Sequence, residues 1–171
     1  MATAGRQQVI LDTSVLINFL KIDRVDLLAR HPSYEFLATE HVKDEITQHY
    51  PQQLARLDTA RQNGDVQEIR VTDQNELNAF GQLASTGLGT GECSAIAVAA
   101  NRNLPVAVDD KVAIKRAQRF HSGIVILNTE SLMVSLIHEN VLDVPAADAI
   151  KDDWEQNHRF RLPFASFANR V

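Results

Sequence analysis

Apolar residues in this chain gather into short runs that alternate with longer stretches of helical period. Val9-Ile10-Leu11 is a strand-like run ending in Asp12-Thr13-Ser14, after which Val15 to Leu20 reads as a buried helix capped by those hydroxyl residues. Tyr34 to Ala38 predicts a second strand, followed by a helix from His41 to His49, a break at Pro51 and an amphipathic helix through Leu54, Leu57 and Ala60 towards Gly64. Val66 to Val71 reads as an exposed strand, because Gln67, Glu68 and Arg70 interrupt its apolar positions. Asp73 opens a further helix through Leu77 and Phe80, and Ser85 to Gly91 is a glycine-rich loop. That loop delivers Glu92 into Cys93 to Ala100, a segment apolar nearly all round and therefore a buried central helix. From Pro105 the alternation is clearest: strand to Val108, helix from Lys111 to Phe120, strand from Ile124 to Leu127, helix from Thr129 to about Glu139. Ala146 to Asn157 is again helical, and the tail from His158 mixes basic and apolar residues.

Strands alternating with helices predict an α/β fold whose parallel sheet is covered on both faces, and in such sheets ligands collect at the carboxyl ends of the strands. Asp12 and Asp109 both stand at such ends, so they share a crevice if their strands are neighbours. With 171 residues, 44% of them hydrophobic, the chain suffices for one domain, expected over 6–171, and no Pro- or Ser/Gly-rich linker divides it. The single cysteine, Cys93, excludes a disulfide framework and a zinc ribbon, and fits a reducing cytoplasm. Met1 to Gln8 is polar and short, and no apolar run approaches the roughly 18 to 20 residues a bilayer span needs, so neither export nor membrane insertion is expected. The formal net charge of -5 implies weak overall affinity for nucleic acid, and any grip on a phosphate backbone must come from a local basic patch.

The candidate chemistry lies in four acidic positions. Asp12 and the Asp109-Asp110 pair close strand-like runs, while Glu45 and Glu92 lie on predicted helices. Carboxylates repel one another, and a fold that gathers several does so most simply around a hard cation with oxygen ligands, magnesium or manganese. Each also has a plainer explanation. Asp12 and Asp110 can be helix N-caps, although Thr13 and Ser14 offer capping groups that leave the Asp12 carboxylate spare. Glu92 can answer the helix dipole, and Glu45 can lie on a solvated face. Glu45 also shares a face with His41 and His49, but such ligands a turn apart on one helix converge poorly on a tetrahedral zinc ion. Cys93 reads as a small buried hydrophobe.

Together, Val-Ile-Leu-Asp12-Thr-Ser-Val-Leu-Ile, Val-Lys-Asp-Glu45-Ile, Gly-Thr-Gly-Glu92-Cys-Ser-Ala-Ile-Ala and Val-Asp109-Asp110-Lys-Val-Ala-Ile-Lys-Arg-Ala resemble, in order and spacing, the four acidic motifs of the PIN-domain ribonucleases. The subgroup they resemble is that of VapC-like toxins and relatives with a Gly-x-Gly-Glu motif. The resemblance implies a three-layer α/β/α sandwich with a central parallel sheet, and magnesium- or manganese-dependent endonucleolytic cleavage of RNA. It implies metal ligation by Asp12, Glu92 and Asp109, with Asp110 as a cap or outer-shell partner, and catalytic roles for Asp12, Glu45, Glu92 and Asp109. Many members carry Asp where this chain has Glu92. Thr13 and Ser14 resemble the hydroxyls that follow the family's first Asp, with Ser14 expected to hold the site by hydrogen bonds. Glu45 or Asp109 can orient the attacking water.

Lys111, Lys115 and Arg119 recur at helical spacing with Arg116 beside them, a natural RNA grip, while Val112, Ile114 and Ala117 are expected to face the core. The toxin resemblance further implies a small antitoxin partner, for which the tail Arg159-Phe160-Arg161-Leu162-Pro163-Phe164 offers interface anchors unless it docks on its own core. A homodimer is a further expectation. Haloacid-dehalogenase-type phosphatases require an acid two residues after the first Asp, where Ser14 stands, and receiver domains place their acid pair near the first strand. The remaining alternative is a PIN-like binding or scaffold module with little or no catalysis.

Overall fold

The computed structural model describes residues 5–171; of the polar N-terminal segment, Met1 to Ala4 lie outside the described residues. The chain runs β1 (Gln7–Leu11), α1 (Thr13–Lys21), α2 (Asp26–Ala29), β2 (Tyr34–Thr39), α3 (Glu40–His49), α4 (Leu54–Gln62), β3 (Gln67–Ile69), α5 (Gln74–Ala84), α6 (Thr90–Arg102), β4 (Val106–Ala107), α7 (Lys111–Phe120), β5 (Ile126–Leu127), α8 (Thr129–His138) and α9 (Val144–Asn157). A short 3-10 turn at Pro51–Gln53 precedes α4, where proline at the first position costs no hydrogen bond.

The five strands form one parallel sheet in the order β3-β2-β1-β4-β5. β1 pairs with β2 on one side and β4 on the other, with Ile10 opposite Val106 and Leu11 opposite Ala107. The strand order reverses between β1 and β4, and at that switch point the loops leaving the two strands diverge and open a crevice. Strand alternation divides the core. Val9, Leu11, Phe36, Ala38 and Ala107 pack towards α1, α8 and α9, whereas Ile10, Leu37 and Val106 pack against Ala95, Val98 and Ala99 of α6. The chain therefore has the expected three-layer α/β/α architecture. α6 is the buried helix its composition predicts, with Gly91 and every residue from Cys93 to Ala99 inside, packed between α3 and α5.

Several expectations need correction. Asp12, not the following hydroxyl residues, is the N-cap of α1, and Thr13 and Ser14 already lie in its first turn. The strands expected over Val66 to Val71 and Ile124 to Leu127 shrink to Gln67–Ile69 and Ile126–Leu127, the two edges of the sheet, and the strand expected to run to Val108 is confined to Val106–Ala107. Val112 is 52% exposed. The core stripe of α7 passes instead through Ala113 and Ala117, and Val112 lies about 100° around the helix from its neighbour Ala113. The tail is docked on its own core: Phe160 meets the Trp154 ring edge-on at 5.4 Å, Phe164 packs on Phe167, and Leu162 and Phe167 are buried. Its aromatic anchors are thus occupied within the chain. Among the described residues no helix is long and apolar enough to cross a membrane.

Candidate active site

Asp12 leaves the carboxyl end of β1 and caps α1 through one oxygen: its Oδ2 accepts from the Ser14 hydroxyl at 2.7 Å and the Ser14 N–H at 3.2 Å. Its Oδ1 is buried without a hydrogen-bond partner. Capping and a spare oxygen therefore coexist in one carboxylate that is only 1% exposed. An unpartnered carboxylate oxygen inside a protein is costly, and burial pushes the Asp12 acid up to about 6.

Glu45 faces inward rather than onto a solvated face. The Thr13 hydroxyl donates to its Oε2 at 2.7 Å and the Gly91 N–H to its Oε1 at 2.8 Å. Gly91 has to be glycine for this contact, since a Cβ there would lie 2.5 Å from Glu45 Oε2 and 2.9 Å from the Thr13 hydroxyl. The small residues before Glu92 thus let α6 begin directly against the Glu45 carboxylate. Glu92 accepts from the Gly89 N–H at 3.3 Å, so it does tie the first turn of α6. That bond does not neutralise it: burial, then the negative charges of Asp12 and Asp110, push it up to about 7.

Asp12, Thr13, Ser14, Glu45, His49, Tyr50 and Glu92 line one crevice of about 230 Å³. The fourth acidic motif is not among them: β1 and β4 are neighbours as expected, yet neither Asp109 nor Asp110 lines the crevice, because both carboxylates are turned to helix termini. Asp109 accepts from the Thr129 N–H at 2.8 Å, the Thr129 hydroxyl at 2.6 Å and the Asn18 side chain at 3.0 Å. Burial raises its acid, and those donors oppose the rise. Its backbone N–H donates to the Ser14 hydroxyl, which itself donates to Asp12, so Ser14 ties the ends of β1 and β4 together. Asp110 caps α7 through Oδ1 on the Ala113 N–H at 2.8 Å while its charge reaches Glu92.

Among the described residues no three or more His, Cys, Asp or Glu side chains lie close enough to enclose a metal ion by themselves. The His41-Glu45-His49 face does not assemble either: His41 lies against the Phe80 ring, while His49 lines the crevice. Cys93 is buried, and burial pushes its thiol up to about 11, which suits a packing role. Of the basic set, Lys111, Lys115 and Arg119 are exposed on α7 and Arg116 is half-buried, its guanidinium lying over Gly87.

Sequence reasoning missed Asn18 and Thr129, which hold Asp109, and Tyr50. Ser14 and Asn18 sit one turn apart on α1, and Thr129 follows the last strand as Asp109 follows β4; both were available as signals.

A sequence model of the PIN domain matches residues 8–168. Among solved structures, VapBC-1 from nontypeable Haemophilus influenzae is similar at a TM-score of 0.53 and 14% identity, covering 72% of this chain and 98% of that one. A PilT N-terminus domain protein from the hyperthermophilic archaeon Sulfolobus solfataricus is similar at 0.51 and 16%, covering 77% and 94%. VapBC2 from Rickettsia felis, bound to a DNA fragment from its promoter, is similar at 0.51 and 14%, covering 71% and 98%. At these identities the likeness is one of fold. Among curated proteins there is no significant sequence match.

Proposed function

The chain belongs to the PIN-domain family, and from that premise we propose that it is a metal-dependent endoribonuclease working at the crevice of Asp12, Glu45 and Glu92, and the toxin of a toxin–antitoxin pair. The observation that carries the reading is the bare, buried Oδ1 of Asp12 in a crevice that it shares with Glu45 and Glu92. Such a donor set, all oxygen and short of positive charge, fits magnesium or manganese. Magnesium commonly takes only one or two protein carboxylates and keeps several waters, so a three-residue cage is not required. Asp12 through Oδ1 and Glu92 would hold the ion, with Asp110 adding negative charge beside Glu92. Asp109, its oxygens engaged by Thr129 and Asn18, remains in the proposed site as the residue that fixes the end of β4.

When bound, the ion would polarise a non-bridging phosphate oxygen and lower the pKa of a water. The chain's own groups do the positioning. Glu45 is held in one orientation by Thr13 and Gly91 and lines the crevice, which Asp109 does not, so Glu45 is the better placed of the two to take a proton from the attacking water. Tyr50 and His49 form the wall where a nucleotide would enter. The alternative, a binding or scaffold module with little catalysis, has one observation in its favour: the saturation of Asp109 by its own neighbours.

Total RNA incubated with the purified protein and read by end-mapping separates the two. Cleavage in magnesium or manganese that EDTA stops is the expected result; intact RNA under every metal condition supports the scaffold reading. The toxin assignment draws on family membership and on the two VapBC fold neighbours. It requires a small protein that co-purifies or is encoded beside this chain, and the absence of both would remove it.

A further inference from the structure

Away from the carboxylates, α5, α6 and α7 flank two neighbouring depressions that have Gln82 and Phe120 as common walls. One part, about 340 Å³, is walled by Arg116 and Arg119. The other, about 430 Å³, is walled by the amides of Asn75, Asn78 and Asn101 and by His121. Where Arg61, Arg102 and Arg170 are each paired with a carboxylate, Arg116 and Arg119 have no ion pair among the described residues. The first part lies on the loop that leads to the crevice: the Arg116 guanidinium lies over Gly87, and the chain runs on from there to Glu92.

We propose that this groove is a track for single-stranded RNA leaving the crevice, with Arg116 and Arg119 on successive phosphates, Phe120 against a base, and Gln82, Asn78 and Asn101 on base edges. Cations for the backbone, an aromatic face for stacking and amides for base edges are the three components that single-strand recognition combines. A protein partner fits less well, because interface cores favour aromatic and apolar anchors, and here the floor beyond Phe120 is mostly amide. In a chain of net charge -5, two arginines without an ion pair among the described residues also give an entering polyanion its direction. The inference rests on the ribonuclease reading of the crevice and adds to it the site that sets length and base preference.

The test measures binding of fluorescently labelled, unstructured RNAs of 4 and 12 nucleotides in EDTA, where the crevice has no ion and the groove acts alone. The parent should bind the 12-mer at least roughly tenfold more tightly than the 4-mer, as a track engaging several nucleotides requires. Arg116→Gln with Arg119→Gln should lower the slope of log affinity against log salt by about 1.4, two phosphate contacts at roughly 0.7 each. Asn78→Ala with Gln82→Ala should leave that slope in place and change the ranking of oligo(A), oligo(C) and oligo(U). All these positions but Arg116 are exposed, and equal melting temperatures would establish that the variants fold. An unchanged slope and affinity in the arginine variant overturns the groove, as does equal binding of a 12-base-pair duplex or a groove that serves only a protein. If the parent still cleaves RNA in manganese, the crevice reading survives that failure; length-dependent binding without any cleavage is the converse, and overturns the crevice reading alone.

Discussion

Gly91 is the residue at which geometry is tightest. A methyl group there would collide with the Glu45 carboxylate, the far end of a flexible side chain, and with the Thr13 hydroxyl that holds it, while alanine is a better helix former than glycine. Gly91→Ala should therefore change stability by no more than about 1 kcal/mol while displacing Glu45 and abolishing most cleavage; denaturant melts and an RNA cleavage assay measure the two together. Asp12 and Glu92 give the second residue-scale prediction. Their acids are raised, from 3.8 to about 6 and from 4.5 to about 7, so the folded state binds protons more tightly than the unfolded chain. The stabilisation this gives is fully present below about pH 4, and it is lost as pH rises through 6 and 7. For buried Asp12 a shift of that size amounts to about 3 kcal/mol at most. In EDTA the parent should lose stability between pH 5 and pH 8, and Asp12→Asn, which keeps the cap, should lose less. Equal pH dependence in urea melts of the two proteins would mean that Asp12 carries no such penalty.

At the scale of elements, the strand ends were legible in sequence because an apolar run stopped abruptly at an acid: Val9-Ile10-Leu11 before Asp12, and Val106-Ala107-Val108 before Asp109. The nature of α6 was legible for the same local reason, its apolar residues leaving no polar face. The inward turn of Glu45 was not, because its partners Thr13 and Gly91 lie 32 and 46 residues away and no local pattern encodes them. Nor was the posture of Asp109, which depends on Asn18 and Thr129 from two other helices. The tail offered the same aromatic residues to a partner or to its own core, and packing on Trp154 and Phe167 decided it. Its last turn is latched by Asp148, which accepts from the Ser166 hydroxyl at 2.6 Å and the Phe167 N–H at 2.8 Å. Phe167→Ala should cost about 3 to 5 kcal/mol, as truncating a buried phenylalanine does; a loss below 1 kcal/mol in chemical denaturation would place the tail outside the cooperative core.

Over the whole molecule, the end of β1, α3 and the first turn of α6 meet through the bonds of Glu45 to Thr13 and Gly91, so Asp12, Glu45 and Glu92 from distant stretches of chain face one crevice. The free-energy cost of that concentration of charge is what a bound cation would relieve, and the relief should be visible as a rise in melting temperature with manganese, because the ion binds the folded state. Whether Asp12 holds a catalytic ion is decided by a manganese titration of parent and Asp12→Asn in which ion binding, by the electron paramagnetic resonance signal of free manganese, and cleavage of a defined RNA are read on the same samples. The parent's cleavage rate should follow its manganese occupancy, and Asp12→Asn should lower both by more than the roughly 10- to 100-fold typical of changes outside the ligand shell. Cleavage that persists in EDTA, or manganese binding that Asp12→Asn leaves unaltered, would contradict that role for Asp12.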